Sequence, residues 1–260
     1  MPSDFLHITL IQHNIVWEDK EANLHQLEEK IKAITGPKHV VVLPEMFSTG
    51  FSMATDALAE PMDGPSVQWM ARAASTYRCI LTGSLIITEE GRCYNRMLWV
   101  QPDGQIGHYD KRHLFAYAQE DKSFTPGSTR QIVQVNGWKI NLLVCYDLRF
   151  PVWARNTGEE YDVLIYVANW PVQRSIAWKT LLQARAIENM SYVVGVNRVG
   201  TDGKGNKYAG DSSVIGPLGD ILYQKADLED CFTVTLDKTK LTETRNHLPF
   251  LKDADKFILL

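Results

Sequence analysis

Ile140-Asn141-Leu142-Leu143-Val144-Cys145-Tyr146-Asp147-Leu148-Arg149-Phe150-Pro151 is the stretch whose reading decides most about this chain. Its first five residues form an apolar run that reads as a buried strand. The run stops abruptly, with a thiol at the stop. A strand end followed by a tight turn can expose a reactive side chain beside free backbone N–H groups. The plainer alternative is a packed, inert cysteine, since free Cys is among the most buried residue types. On spacing alone the inert reading is the stronger one. What overturns it lies elsewhere in the chain.

Upstream, 6–12 reads as a strand and 21–34 as a helix, with Leu24, Leu27, Ile31 and Ile34 at helical spacing. His39-Val40-Val41-Val42-Leu43 is a short buried strand ending at Pro44-Glu45. Pro65 opens a helix over 66–77. Strands follow at 79–87, 94–101 and 106–109, and Asn136-Gly137 joins 131–135 to 138–144 as a two-residue hairpin. Downstream, 163–167 is a buried strand, 176–190 an amphipathic helix and 192–197 another strand. The polar stretch 200–210 reads as a mobile loop; its glycines lack the strand–GxGxxG–helix context of a dinucleotide site. Short strands are expected near 212–215, 221–223 and 232–236, then a short helix and an extended tail. Partly helical and partly hairpin connections fit a layered α/β arrangement, with helices outside two sheets. No segment has linker composition, so one domain over 1–260 is expected, with its core at about 6–236 and a tail at 237–260.

Composition sets outer limits. The chain has 260 residues, 45% hydrophobic and 22% charged, which suits a soluble globular protein. A formal net charge of −4 gives no electrostatic case for nucleic acid or an anionic membrane as partner. No apolar run approaches the roughly 18–20 residues of a membrane span, and no signal peptide is apparent. Cys79, Cys93, Cys145 and Cys231 are scattered without a C-x-x-C pair. That disfavours a disulfide framework, a zinc site or a redox motif, and makes a cytoplasmic location the expectation.

A thiol with a reference pKa of about 8.5 needs a base or a neighbouring cation to act as a nucleophile at neutral pH. Of the seven histidines, His113 is the most interesting by position, yet nothing in the sequence ties any of them to Cys145. Glu45 is a better partner. It too follows a buried strand, where a carboxylate can take and return a proton; the alternative is a helix cap or a surface acid. Lys111, after another short strand, could stabilise an oxyanion at the rim of a cleft, although most lysines are merely solvated. Because all three follow strands, one sheet edge could bring them together.

Three segments carry a family resemblance: Leu43-Pro44-Glu45-Met46-Phe47, Tyr109-Asp110-Lys111-Arg112-His113-Leu114-Phe115, and the Cys145 segment quoted above. Together, in the order Glu, Lys, Cys, they resemble the signature segments of the carbon–nitrogen hydrolase (nitrilase) superfamily, over about 6–236. The resemblance implies a four-layer α-β-β-α sandwich and a thiol amidase that needs no metal or organic cofactor. It implies Glu45 as base, Cys145 as nucleophile, and Lys111 with the Tyr146 N–H as oxyanion donors. It also suggests Glu120, before Pro126-Gly127, as a second glutamate that positions Lys111; a solvated loop acid is the alternative.

Arg149 is the substrate clue. It lies four residues beyond the thiol and could bind the distal carboxylate of a small amido acid through a bidentate fork, unless it pairs structurally with Asp147 or another acid. Trp170 and Phe51 are candidate pocket walls, with plain core as the alternative. Within the family the chain looks most like the ω-amidase branch, which releases ammonia from small ω-amido 2-oxo acids such as 2-oxoglutaramate. It lacks the Thr-Gly-Pro stretch of many eukaryotic ω-amidases after Trp170, so Gln173 or Arg174 is open as a replacement contact. Alternatives are an N-carbamoyl or deaminated-glutathione amidase and, in another class, a non-catalytic ligand-binding module. The resemblance also suggests a homodimer, with Phe250, Leu251, Phe257 and Ile258 in the contact.

Overall fold

Alternation along a strand decides which neighbour each side chain meets. Val40 and Val42 join one apolar cluster, whereas Val41 and Leu43 join another. The same split recurs nearby: Met97 and Trp99 belong to the first cluster, Leu98 and Val100 to the second. A sheet buried on both faces follows, with the other sheet on one side and helices on the other.

The computed structural model describes residues 3–258. In chain order its elements are β1 (Phe5–Gln12), α1 (Lys20–Ala33), β2 (Val40–Val42), α2 (Thr55–Leu58), α3 (Pro65–Tyr77), β3 (Ile80–Glu89), β4 (Arg92–Val100) and β5 (Ile106–Asp110). Then come α4 (Glu120–Ser123), β6 (Gln131–Val135), β7 (Trp138–Val144), α5 (Pro151–Ala154), β8 (Val163–Ala168) and α6 (Ser175–Asn189). The remainder is β9 (Tyr192–Asn197), β10 (Val199–Thr201), β11 (Lys207–Ile215), β12 (Ile221–Ala226), β13 (Asp230–Asp237) and α7 (Lys238–His247). The first sheet has the order β13-β1-β2-β3-β4-β5, and the second β10-β11-β9-β8-β7-β6 with β12 on β11. Helices α1 and α3 cover the outside of the first sheet, and α6 packs on β9 and β11 of the second. This is the expected α-β-β-α sandwich. No helix among the described residues is long and apolar enough to cross a membrane.

Parallel pairing runs β1-β2-β3 in one sheet and β7-β8-β9 in the other. The C-terminal ends of β2 and β7 are therefore the places where the chain leaves each sheet, and the chemistry collects there. At Asn136-Gly137 both residues have positive φ, +50° and +83°, as the hairpin signal requires.

Two expectations change. The stretch 200–210 is an ordered hairpin, β10 paired with β11, rather than a mobile loop. Asp202 holds its turn, accepting from the backbone N–H groups of Lys204 and Asn206, the Asn206 side chain and the Tyr208 hydroxyl. Polar composition suggested a loop, but here the polar residues satisfy one another. Leu251, expected at a subunit contact, is buried within the chain, while Phe250, Phe257 and Ile258 are exposed. Residues 259–260 of the expected contact segment lie outside the described residues.

Candidate active site

The loop after β2 carries Glu45 inward, and one glycine makes room for it. A Cβ on Gly83 of β3 would lie 2.8 Å from Leu43 Cβ and 2.9 Å from the Phe47 ring. Its absence lets Leu43 N–H, Met46 N–H and Phe47 N–H bond to Thr82 O, Ser84 Oγ and Ser84 O of β3. Lys111 follows β5, and its carbonyl accepts from Gly127 N–H at 2.9 Å. A Cβ on Gly127 would meet Asp110 O at 2.1 Å, so the Pro126-Gly127 turn closes tightly against the lysine segment.

Glu45, Lys111 and Glu120 meet with no side-chain exposure at all. Lys111 Nζ donates to Glu45 Oε1 and to both Glu120 oxygens, each at 2.9 Å. Asn95 of β4 donates through Nδ2 to Glu45 Oε1 at 2.8 Å and Glu120 Oε1 at 3.1 Å. Glu45 Oε2 accepts from Asn169 N–H at 2.8 Å, and Glu120 Oε2 from Phe115 N–H at 2.6 Å. A buried charge without such partners would cost several kcal/mol. Burial disfavours the Lys111 ammonium, but Glu120 and Glu45 outweigh it and hold the proton firmly. Burial raises the Glu120 carboxyl and Lys111 opposes that rise, with the Glu45 charge adding to it.

Cys145 follows β7 directly in a left-handed conformation, φ +44°, which costs a non-glycine residue of order 1–3 kcal/mol. The turn Cys145–Arg149 is held from two sides. Asp147 accepts from Val144 N–H, Tyr109 Oη and His113 N–H, and its Oδ1 is 2.8 Å from His113 Nδ1. From α6, Arg185 Nη2 donates to Leu148 O at 2.6 Å. Burial first, and then the Glu45 charge, push the Cys145 thiol well above its usual range. Lys111 works against that rise.

Above the thiol opens a cavity of about 410 Å³. Cys145, Tyr146, Arg149, Trp170 and Phe51 line it, with Asn169, Tyr117 and Tyr208 among the others. Trp170 is fixed through its main chain by Asn197, which accepts from its N–H at 2.8 Å and donates to its carbonyl at 2.9 Å. Phe51 presents its ring 5.3 Å from Lys111 Nζ. Arg149 lays its guanidinium 5.0 Å from the Trp170 ring centroid, and no carboxylate among the described residues lies within salt-bridge distance. Asp147 is occupied by Tyr109, His113 and Val144, so the structural pair with Arg149 is not made. Gln173 and Arg174 both line the cavity as well.

Glu45, Lys111, Glu120, Cys145, Tyr146, Arg149, Trp170 and Phe51 thus lie in or beneath one cavity, with two changes of setting. Lys111 sits at the buried floor and not at a cleft rim. One sheet edge does not assemble the groups: Glu45 and Lys111 leave the first sheet, and Cys145 leaves the second. Sequence reading missed Asn95, Asn169 and the His113–Asp147 link. A buried asparagine inside the strand Tyr94-Asn95-Arg96-Met97 was a usable signal for the first, because a lone amide in an apolar strand needs a polar partner.

Comparisons with known proteins place the chain in a family. The family model described as carbon–nitrogen hydrolase matches residues 7–246. The chain is 46% identical over 256 residues to the omega-amidase YafV of Escherichia coli K12, covering 98% of each chain. It is 34% identical to the 2-oxoglutaramate amidase of Bacillus subtilis, covering 96% of this chain and 97% of that one. Among solved structures, XC1258 of Xanthomonas campestris superposes with a TM-score of 0.97 at 42% identity, covering 99% of this chain and all of that one. It is a CN-hydrolase superfamily protein described with an arsenic adduct in its active site. With that match running from the first strand into the last helix, the chain belongs to the carbon–nitrogen hydrolase family.

Proposed function

We propose that this hydrolase is an ω-amidase, releasing ammonia from the terminal amide of small ω-amido 2-oxo acids such as 2-oxoglutaramate. The observation that carries the reading is Lys111 clamped between Glu45 and Glu120 beneath the cavity that Cys145 lines. The relatives named for omega-amidase and 2-oxoglutaramate hydrolysis support the substrate.

In this scheme Cys145 hands its proton to Glu45 as its sulfur attacks the amide carbon. The carbonyl π electrons move to oxygen, where Lys111 Nζ and the Tyr146 N–H meet the developing charge. The tetrahedral adduct collapses, the C–N bond breaks, and the proton from Glu45 leaves with ammonia. The thioester that remains is attacked by water, which gives a proton to Glu45. The C–S bond breaks, Glu45 returns the proton to sulfur, and the carboxylic acid departs. Glu120 keeps Lys111 in place and charged.

The floor holds two carboxylates against one ammonium, which repels an anionic group. Arg149 lies at the mouth. A substrate with a carboxylate at one end and an amide at the other is therefore oriented with its amide inward. Trp170 and Phe51 wall the space between. The protein acts in this reading as a cytoplasmic homodimer, with exposed Phe250, Phe257 and Ile258 available for the contact.

Ammonia release across ω-amides, carbamoyl compounds and nitriles, measured beside Cys145→Ala, tests the proposal. Turnover of ω-amides that vanishes in Cys145→Ala supports it. Activity surviving in that variant, or confined to carbamoyl compounds, overturns it.

A further inference from the structure

The cavity carries a second guanidinium. Arg174 sits at the start of α6, half-buried, with its guanidinium carbon 5.1 Å from the Phe115 ring centroid. Like Arg149, it has no carboxylate within salt-bridge distance and no hydrogen bond from its guanidinium among the described residues. Trp170 contacts both residues, one through its guanidinium and the other through its main chain. Trp170 offers its ring face to Arg149, and its Nε1–H donates to the Arg174 carbonyl at 2.8 Å. Asn197 fixes that tryptophan, and Ser175, next to Arg174, is bonded to Asp211. The Arg149 guanidinium thus rests on Trp170 and that of Arg174 on Phe115, each with its N–H groups unbonded among the described residues. An unpaired guanidinium at an exposed surface is ordinary; two lining one small cavity, each stacked on a ring, are not.

One arginine already satisfies a simple carboxylate, whose two oxygens match one bidentate fork. A second fork needs a further acceptor in the same plane. A 2-oxo acid supplies it: the keto oxygen lies beside the carboxylate and conjugation favours coplanarity, so three acceptors face outward together. We infer that Arg174 is the specificity residue for the 2-oxo group, taking the keto oxygen and the adjacent carboxylate oxygen while Arg149 takes the carboxylate. This deepens the ω-amidase reading and rests on it. It assigns selectivity between a 2-oxo amido acid and the same acid without the keto group to one side chain that touches neither the thiol nor its proton acceptor.

The test compares kcat/KM on 2-oxoglutaramate with kcat/KM on glutaramate, which lacks the keto oxygen. In Arg174→Ala the ratio of the two falls about 10-fold, the scale of one charged hydrogen bond. Arg149→Ala lowers both values together and leaves the ratio nearly unchanged. Arg174→Lys does not restore the ratio, because an ammonium cannot reproduce the planar fork. A ratio unchanged in Arg174→Ala overturns the assignment, whether both activities fall through lost potential or neither falls. Binding of 2-oxoglutarate and glutarate to Cys145→Ala, by calorimetry, gives the same comparison without turnover: removing Arg174 there must weaken the first ligand selectively. If the unaltered protein hydrolyses neither amide, the ω-amidase reading itself fails, independently of Arg174.

Discussion

The floor and the mouth of the cavity handle charge in opposite ways. At the floor, the side chains of Glu45, Lys111 and Glu120 are fully buried and hydrogen-bonded to polar partners. At the mouth, Arg149 is exposed and Arg174 half-buried, each against an aromatic face with its N–H groups free. The difference teaches what each region is built for. Bond breaking gains from charges that need no reorganisation when the transition state forms. Recognition needs donors not already spent on the protein.

If that division holds, damage to the floor acts on kcat and damage to the mouth on KM. Glu45→Gln should have the largest effect, lowering kcat by about 10²- to 10⁴-fold, the range for a lost general base; a loss under tenfold in steady-state assays would remove Glu45 from proton transfer. Asn95→Ala comes next. It leaves every charge in place but frees Glu45 and Glu120 to shift, and kcat should fall about 10- to 100-fold with KM little changed. Arg149→Lys tests the mouth: KM for amido acids should rise by about 10-fold or more at nearly constant kcat. Equal effects on neutral amides would instead mark Arg149 as structural.

Stability sharpens the contrast from outside the cavity. His13 is buried, and burial lowers its pKa to about 4, so it folds neutral despite Glu229 on Nδ1. Above pH 6.5 neither the folded nor the unfolded state carries that proton. Between pH 6.5 and about 4 the unfolded chain binds it and the native one does not, so stability falls as pH drops. The loss approaches about 3 kcal/mol. Denaturant melts of His13→Gln should show a flatter dependence over that window. Gly83→Ala is the smallest change: its methyl would press on Leu43 and Phe47, costing about 2 kcal/mol in the same melts, with activity falling alongside because Glu45 rides on that loop.

Much of this was legible in the chain. The valine run 40–42 and the apolar run before Cys145 announced strands because both faces of each are buried, and Asn136-Gly137 announced its hairpin because the turn needs two positive φ angles. The three chemical groups were visible through their segments. What stayed hidden was pairing across the sandwich. Nothing local in Asn169 says that its N–H will meet Glu45, 124 positions away, and nothing in His113 says that its ring will rest on Asp147. The hairpin at 200–210 was missed for a related reason. Its polar residues look like a solvated loop until Asp202 is seen accepting four hydrogen bonds from three of them.

The strand β13 pairs with β1 along its whole length, Phe5 opposite Asp237 and Gln12 opposite Asp230. The sheet that carries Glu45 and Lys111 therefore lacks this edge until the chain has been made through Asp237. A nascent chain that already contains thiol, acid and lysine is not yet an assembled catalyst, and β1 waits with an unpaired edge open to other chains. Pairing of such sequence separation is slow to form. Competence and protection from aggregation thus arrive together, with the last strand.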